Sequence, residues 1–304
     1  QELMFLHRLA KHLKKGREEV RGKPENFSRP DYTFRLEGND GEEPNGSETV
    51  SISVRKRGAP LDLIVAEAAI VANSTWGGWL AELGVPGIYR SQASMAPGVK
   101  VRMSTKALPH AGIGVKSYSW ATSPLRRYVD LVNQWQIIAC ARHGATAALA
   151  APFKPKDAEL FGIISSFDCA YSAYNGYQQS MERFWTLKYV EQNGITELDC
   201  AVIKDNGPNG ILVRADTLPL VISIIGAQDL PRGARVRVKL GAIDEITLDI
   251  HGTVIERLDD PLDSSDDAPL DDAAEDEDDV AAGPIAIAVD VNEADSTSAD
   301  TPAP

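Results

Sequence analysis

The segment that most constrains this chain is Thr122-Ser-Pro-Leu-Arg-Arg127, which opens a stretch with helical periodicity. Serine followed by proline is typical of a helix start, because serine can accept a hydrogen bond from an orphan amide and proline gives up an amide that has no partner. Apolar residues then recur at helical spacing: Leu125, Tyr128, Val129, Leu131, Val132, Trp135, Ile138 and Ala139. The pattern predicts a helix over about residues 124–143, with Arg126 and Arg127 in its first turn.

Two guanidinium groups at a helix start suit a phosphate group. The free amides and the dipole of a helix start favour an anion, and arginine offers a fork of donors that stays protonated. The alternative is an ordinary capped helix in which Arg126 pairs with Asp130 four residues on, an interaction worth about 0.3–0.5 kcal/mol. The pattern alone leaves both interpretations open.

The net charge of -13 is distributed unevenly along the 304 residues. Residues 259–304 contain 16 Asp and Glu and no Lys or Arg, so the rest of the chain carries a balance of +3. Residues 1–258 are therefore mildly basic. The tail is rich in Ala, Asp, Ser and Pro and has no evident hydrophobic pattern, so it cannot bury enough apolar surface to offset its ordering entropy. We predict that it is disordered.

The three cysteines, Cys140, Cys169 and Cys200, are odd in number and lack a Cys-x-x-Cys spacing. Neither a disulfide framework nor a zinc site is indicated, so we predict a reducing, cytoplasmic environment in which each cysteine is a small buried hydrophobe.

No run of eighteen apolar residues predicts a membrane span. The chain opens with Gln1 inside a helical pattern, and we expect it to be the C-terminal part of a longer protein.

The first 60 residues predict a helix and a hairpin. Residues 2–20 carry an apolar stripe that we expect to pack and a basic outer face; the stripe is Leu3, Leu6, Leu9, Ala10 and Leu13, and the face is Lys11, Lys14, Lys15 and Arg17. Residues 30–56 alternate as a hairpin does around a turn-rich segment at 38–46. The acidic residues of that segment are interpreted as solvated turn residues and not as metal ligands: Asp40, Glu42 and Glu43.

Further helices are predicted over residues 61–83 and 155–193. The first is apolar nearly all round, so Glu67 and Asn73 within it need a partner, either a structural arginine pairing or a ligand. The second carries aromatic residues at helical spacing, which either pack in a core or stack on bases, and it has a possible break at Asn175-Gly176. Short strands are predicted between them, over 87–90 and 99–104.

From Thr196 the pattern changes to short β runs separated by turn residues: 198–204, 210–214, 221–225, 235–240 and 245–250. Five such strands predict a small barrel of the OB type, a common platform for single-stranded RNA. We expect a basic side formed by Arg214, Arg232, Arg235, Arg237 and Lys239. A basic barrel could instead dock a protein.

Two ordered stretches, His110-Ala-Gly-Ile-Gly-Val-Lys-Ser-Tyr118 and Thr122-Ser-Pro-Leu-Arg-Arg-Tyr-Val-Asp-Leu131, resemble the late signature of the ribonuclease II (RNB) family of processive 3′-to-5′ exoribonucleases. The resemblance extends over most of residues 1–258 through three further motifs: Val65-Ala-Glu-Ala-Ala-Ile-Val-Ala-Asn73, Gly87-Ile-Tyr-Arg90 and Met181-Glu-Arg-Phe184. Two departures are Gln134-Trp135, where many relatives carry His-Arg, and a segment between Asn73 and His110 that is shorter than in some relatives.

The resemblance implies an α+β fold in three parts: the C-terminal part of a mixed RNB catalytic domain over 1–195, an all-β OB-fold barrel over 196–258, and the acidic tail over 259–304. It implies that single-stranded RNA threads a basic channel and loses nucleoside 5′-monophosphates from its 3′ end.

The resemblance also implies roles for residues. Arg126 would neutralise charge developing on the scissile phosphate, and Ser123, Arg127 and Tyr128 would position it. A second group would contact the substrate, with Glu182 near the 3′-terminal ribose, Glu67 and Asn73 on the helix that lines the channel, and His110 just before the basic turn.

The family's hydrolysis is understood to use Mg²⁺ ions held by clustered aspartates. No Asp-x-Asp or Asp-Asp pair occurs in residues 1–258, and the acidic run Asp276-Glu-Asp-Asp279 lies in the tail, so we expect the metal ligands upstream of Gln1. The alternative is a non-catalytic RNA-binding protein without these ligands. A third hypothesis is a protein-interaction module that uses the acidic tail.

Overall fold

A computed structural model describes residues 1–25, 31–38, 48–55, 59–96, 99–207, 210–226, 230–258 and 286–287. The predicted loop carboxylates Asp40, Glu42 and Glu43 lie outside these ranges. The chain divides into two compact units. We call residues 9–22, 65–172 and 282–304 the central unit, and residues 1–8, 23–64 and 173–281 the barrel unit.

The described residues form a mixture of helices and strands, as predicted. The helices are α1 (Glu2–Arg21), α2 (Pro60–Glu82), α3 (Tyr128–His143), α4 (Ala147–Ala150) and α5 (Ala158–Gln192), with a 3₁₀ turn at Gly144–Thr146. The strands are β1 (Asp31–Glu37), β2 (Thr49–Arg55), β3 (Tyr89–Ser91), β4 (Arg102–Ser104), β5 (Glu197–Gly207), β6 (Gly210–Ala215), β7 (Val221–Ile224), β8 (Arg235–Asp244), β9 (Asp249–Arg257) and β10 (Ala286–Ile287). Within the described ranges, no helix combines the length and apolarity that a bilayer crossing requires.

The barrel of the barrel unit is closed, in the order β5-β6-β7-β9-β8. Alternate residues of each strand point inward, as the predicted period of two requires; those with no exposed surface include Cys200, Val213, Ile222, Val236 and Val238. One predicted strand is wrong in part, because residues 245–248 form a turn. The Asp244 carboxylate accepts hydrogen bonds from the amides of Ile246 and Thr247 at 2.9 and 3.1 Å, which closes that turn and lowers the Asp244 pKa.

Helix α5 is continuous, so the predicted break at Asn175-Gly176 is wrong. A glycine inside a helix costs only about 1 kcal/mol relative to alanine. Packing on both sides of the glycine outweighs that cost, since Leu160 and Ile164 lie in the core of the central unit and Leu187 and Val190 lie in the core of the barrel unit.

The expected packing of α1 is wrong for most of its apolar stripe, although Ala10 is buried as predicted. Leu3, Leu6 and Leu9 are exposed, whereas the buried residues of α1 are Ala10, Arg17 and Arg21. The basic face was thus assigned to solvent although one of its members, Arg17, is buried. The physical reason is a buried acidic partner of Arg17 on α2, described below.

The central unit contains a three-stranded sheet in the order β10-β4-β3 and two apolar clusters. Trp120, Ile88 and Met103 belong to the first cluster, with residues from α3 and α5. Leu80 of α2 and Cys140 of α3 belong to the second.

A tight turn over residues 110–115 packs against α1 at Gly114. The Gly114 amide donates to the His110 carbonyl at 2.9 Å, and its φ of +78° lies in the region that favours glycine. A Cβ at this position would overlap the Arg17 carbonyl oxygen and lie 2.8 Å from Arg21 Cγ. The turn therefore requires glycine for two independent reasons.

Replacing Gly114 with alanine should lower the free energy of unfolding by at least about 2 kcal/mol, because it combines a left-handed backbone with a backbone clash. Urea unfolding followed by tryptophan fluorescence measures this well, since four of the five tryptophans lie in the central unit. Gly162→Ala on α5, where a Cβ meets nothing within 4 Å, is the matched control and should leave stability equal or higher. Equal stability of the two variants would contradict the prediction.

The cysteines differ in exposure: Cys140 and Cys200 are buried, as predicted, and Cys169 is exposed, so the prediction is wrong for that residue. Burial raises the pKa of the Cys140 thiol and raises that of Cys200 to about 12. The thiolate is the reactive form, so both buried thiols are poor nucleophiles.

Iodoacetamide at neutral pH should therefore modify one thiol of the folded chain quickly, and peptide mass spectrometry should locate it at Cys169. Cys169→Ser should abolish the fast reaction, while urea should release the two slow thiols. Fast modification of Cys200 in the folded chain would show that the barrel interior opens readily.

Candidate nucleic-acid interface

The segment Ser123–Arg127 is a turn, and α3 begins only at Tyr128. The amides of Arg126 and Arg127 donate to the Ser123 carbonyl at 3.2 and 3.0 Å. Arg127 occupies the N-cap position with an extended backbone (φ -124°, ψ 118°) and makes no side-chain cap. The predicted helix start at Pro124 is therefore wrong by one turn.

Asp130, in the first turn of α3, explains this geometry. Its Oδ1 accepts hydrogen bonds from the Ser123 amide and from Arg127 Nη2, and its Oδ2 accepts one from Arg127 Nε, all at 2.8 Å. Asp130 and Arg127 are 0% and 2% exposed. The alternative pairing of Arg126 with Asp130 is wrong, because this carboxylate binds Arg127 and the backbone of the turn.

Trp120 lies beneath the Arg127 guanidinium. The Cζ atoms of Arg127 and Arg90 each lie 4.1 Å from the Trp120 ring centroid. Phe167 and Tyr171 of α5 meet the same indole edge-on, with centroids 6.3 and 6.1 Å away. Desolvated cation–π contacts of this kind are worth about 2 kcal/mol. Arg127 is thus held by an ion pair and by an aromatic face.

The outer side of the turn has the opposite character. Arg126 is exposed, the exposed fraction of Leu125 is 103%, and that of Tyr128 is 50%. The Tyr128 ring meets Trp135 edge-on at 6.1 Å. Of the two arginines expected to face a phosphate, Arg126 has a side chain that solvent can reach. Arg127 is buried and stabilises the turn through Asp130.

Asn73 and Asn133 fix the extended segment that leads into the turn. Asn73 Oδ1 accepts from the Ala121 amide at 3.1 Å, and its Nδ2 donates to Tyr118 and Thr122, both at 3.3 Å. Asn133 of α3 was not singled out by sequence, yet its Nδ2 donates to the carbonyls of Ile88 and Trp120 at 2.9 and 2.7 Å. Asn73 has no exposed surface, and its hydrogen bonds stabilise the segment before the turn. Contact between Asn73 and RNA stays a prediction.

Glu67 is bound by an arginine, which is the structural alternative that the sequence left open. Arg17 Nε donates to Glu67 Oε2 at 3.0 Å, and Arg17 Nη2 bonds Oε1. Arg17 Nη1 also donates to the Ile113 carbonyl at 2.6 Å, which ties α1 and α2 to the turn at 110–115. Glu67 is 1% exposed. Its proposed contact with substrate stays a prediction.

His110 is likewise buried, at 1% exposure. Its Nδ1 accepts from the Ile113 amide at 3.2 Å, and its ring meets Tyr118 edge-on at 6.0 Å. These contacts give His110 a structural place in the turn that precedes the Ser123–Arg127 turn. A substrate contact for it remains a prediction.

Glu182 lies on α5 in the barrel unit and accepts a hydrogen bond from Gln178 at 3.0 Å. Its neighbour Arg183 donates to the carbonyls of Leu248 and Val221 and so fastens the helix to the barrel loops. The ribose contact suggested for Glu182 stays a prediction.

Two of the five residues of the expected basic side of the barrel, Arg235 and Arg237, are paired with carboxylates. Arg237 binds Asp199 at 2.8 Å and Glu256 at 3.1 Å, and Arg235 binds Asp216. The hydrogen bond from Arg237 lowers the pKa of Asp199. Residues 196–258 contain seven Lys and Arg against nine Asp and Glu. Charge alone therefore gives the barrel no general attraction for a polyanion.

A divalent cation has no evident ligand set in the part of the chain that the structure describes. No group of three or more His, Cys, Asp or Glu residues is placed there to hold a metal ion. The two most buried carboxylates of the central unit, Glu67 and Asp130, are both bound by arginines. These residues do not fit a magnesium site.

Residues 95–143 match the RNB domain family. The match includes the Ser123–Arg127 turn, Asp130 and the whole of α3. Residues 95–143 are therefore similar to an RNB domain. This match agrees with the family resemblance that the sequence motifs indicated, and similar curated proteins are named as a ribonuclease and an exoribonuclease.

Among curated proteins, the chain is 27% identical over 173 residues to an uncharacterized ribonuclease of Synechocystis, sll1290, a stretch that covers 49% of this chain and 24% of that protein. It is 28% identical over 102 residues to the mitochondrial exoribonuclease DSS-1 of Trypanosoma brucei brucei, covering 29% of this chain and 14% of the relative. The chain thus spans a quarter or less of the length of these relatives.

Solved structures with a similar fold include an active-site mutant of the Dss1 exoribonuclease from Candida glabrata, with a TM-score of 0.62 and 18% identity. The superposition covers 84% of this chain and 35% of that one. Mycoplasma genitalium RNase R in complex with ribose-methylated single-stranded RNA gives a TM-score of 0.58 at 16% identity, covering 82% of this chain and 49% of that one. At these identities the likeness concerns the fold alone.

Removing the Asp130 carboxylate should lower the free energy of unfolding more than replacing a nearby surface residue does. Asp130→Ala removes the carboxylate that the buried Arg127 guanidinium binds, and removing one partner of a buried ion pair typically costs about 3–5 kcal/mol. The measurement is urea unfolding by tryptophan fluorescence, with Glu159→Ala, an exposed carboxylate at the start of α5, as the control expected to change stability by less than about 0.5 kcal/mol. A loss below about 1 kcal/mol for Asp130→Ala would mean that the pair does not hold the turn.

Proposed function

We propose that this chain provides the phosphate-contacting part of a ribonuclease II-type exoribonuclease that processively removes nucleoside 5′-monophosphates from the 3′ end of single-stranded RNA. The observation that carries the proposal is the exposure of Arg126 on a turn whose backbone is fixed from inside by Asp130 and Arg127. The RNB match over the same residues and the exoribonuclease names of the relatives support it.

Arginine is suited to this role because its guanidinium stays protonated and can donate two parallel hydrogen bonds to phosphate oxygens. A donor that is positioned before the reaction stabilises developing negative charge without reorganising during it. The turn supplies such positioning, since Asp130 binds the Ser123 amide at its start and the Arg127 side chain at its end, and Asn73 holds the segment that precedes it. Beside Arg126, the exposed Leu125 and Tyr128 offer an apolar and an aromatic surface on which a base could rest.

The charge of the central unit also supports RNA binding at this place. Excluding the tail, residues 9–22 and 65–172 contain fifteen Lys and Arg against eight Asp and Glu, a balance of +7. Neutralising phosphates with Lys and Arg releases counterions and gives most of the affinity of non-specific binding. We therefore assign the attraction of the RNA backbone mainly to the central unit.

Hydrolysis in this proposal also calls for Mg²⁺, for which the described residues offer no ligand set. We assign the ion to no residue of this chain and derive no step through it. Given the unpaired cysteines, we propose a cytoplasmic setting for the activity.

The competing function is a non-catalytic RNA-binding protein, and the lack of a carboxylate cluster among the described residues favours it. The reading frame upstream of Gln1 discriminates between the two. Four closely spaced aspartates there would support the exoribonuclease, whereas a start codon close to residue 1 would support the binding protein.

Arg126→Ala, tested in the protein encoded by the intact reading frame, should lower turnover of a labelled oligoribonucleotide at least about tenfold, the equivalent of about 1.4 kcal/mol of transition-state stabilisation. Binding should change little, because the interaction strengthens as charge develops. Arg142→Ala, an exposed arginine in the last turn of α3, removes the same charge away from the turn and should retain turnover. Parallel losses of binding and turnover in Arg126→Ala would reduce its role to affinity.

A further inference from the structure

The acidic tail contributes a strand to the central unit. In β10, Ala286 pairs with Arg102 and Ile287 pairs with Met103 of β4, in parallel. Since β3 pairs with β4 on its other side, β10 covers the outer edge of β4. An uncovered edge strand presents a row of unpaired backbone groups and is a site for strand addition. Here the added strand is a segment of the same chain.

The sequence around β10 fits this role. Ile285-Ala-Ile-Ala-Val-Asp-Val291 places a branched apolar residue at every second position, which is the period of a strand with one apolar face. Of residues 259–304, the structure describes Ala286 and Ile287, which form β10, and the rest of the predicted disordered tail lies outside the described ranges. The composition of the whole tail did not reveal this alternation, because it is confined to residues 285–291.

Charge favours the same pairing. The tail carries 16 Asp and Glu and no basic residue, while the central unit without it carries a balance of +7. Lys100, Arg102 and Lys106 on and beside β4 are all exposed. Opposite charges thus attract the tail to this unit, and the strand decides where it attaches.

The sheet that receives the tail also supports the arginine turn. On the side of β3 away from β4, the Arg90 amide donates to the Tyr118 carbonyl at 2.8 Å, and Tyr89 forms a bridge with Ser119. The segment containing Tyr118 and Ser119 continues directly into the Ser123–Arg127 turn. The tail strand is therefore connected through β4 and β3 to the segment that leads into the arginine turn.

We propose that the outer edge of β4 is a docking site for the chain's own C-terminal strand, and that the acidic tail attached in this way competes with RNA for the basic central unit. The competition rests on the proposed function, whereas the docking does not. The tail thereby acts as a built-in polyanion that restricts access to weakly bound RNA.

Hydrogen exchange of residues 101–104 in the full chain tests the docking. The variant Ala286→Pro/Ile287→Pro removes two amides and disfavours strand pairing without changing charge. Ala273→Pro/Ala274→Pro, in the acidic run of the same tail, is the matched control. We expect exchange at β4 to accelerate at least about tenfold in the first variant and to match the wild type in the second.

Two results would overturn the docking site. One is unchanged exchange at β4 in the Ala286→Pro/Ile287→Pro variant. The other is protection that grows with protein concentration, because the occupant would then be the tail of a second copy.

Fluorescence anisotropy with a labelled oligouridylate tests the competition. At low salt, the strand-blocking variant should bind at least about threefold tighter than the wild type and the control, and the difference should shrink as salt screens the tail. Equal RNA affinities of the strand-blocking variant and the wild type would show that the tail does not compete with RNA. The docking of the tail strand would then be decided by hydrogen exchange alone. If no variant binds RNA, the proposed function fails, and the docking again depends only on hydrogen exchange.

Discussion

The buried ion pair between Arg127 and Asp130 is the interaction on which the candidate interface depends. A buried pair of charges is favourable only when its hydrogen bonds are satisfied. Here the carboxylate also accepts the Ser123 amide, and the guanidinium lies over Trp120. These contacts turn Arg127 inward and fix the backbone of the turn. The next residue back, Arg126, is exposed as a consequence of that turn.

The sequence predicted most elements of the fold, because helical and alternating patterns are local. The β1–β2 hairpin, α2, α5 and the closed barrel were recoverable in this way. The start of α3 was not, since Ser-Pro satisfies the local rules for a cap while Asp130, seven residues on, binds the Ser123 amide instead. The buried face of α1 was missed for a similar reason: its Arg17 is paired with Glu67, fifty residues away.

The sequence also could not predict which charged residues form a binding surface. The five basic residues of the barrel looked like one side, but strand register sets Asp199 opposite Arg237. Conversely, the overall charge of -13 conceals a balance of +7 in the central unit without its tail residues. The strand pairing shows which basic side chains are neutralised by carboxylates. The division into units shows which part of the chain carries the positive charge that could attract a nucleic acid.

The central claim is that RNA touches the Ser123–Arg127 turn. Site-specific photocrosslinking tests it most directly, with a benzophenone amino acid at the fully exposed Leu125 and, as a comparison, at Leu149, which is 82% exposed elsewhere in the central unit. We expect labelled single-stranded RNA to crosslink strongly from position 125 and only weakly from position 149, and unlabelled RNA to suppress the signal. Equal crosslinking from both positions, or none from position 125 while RNA is bound, would contradict it.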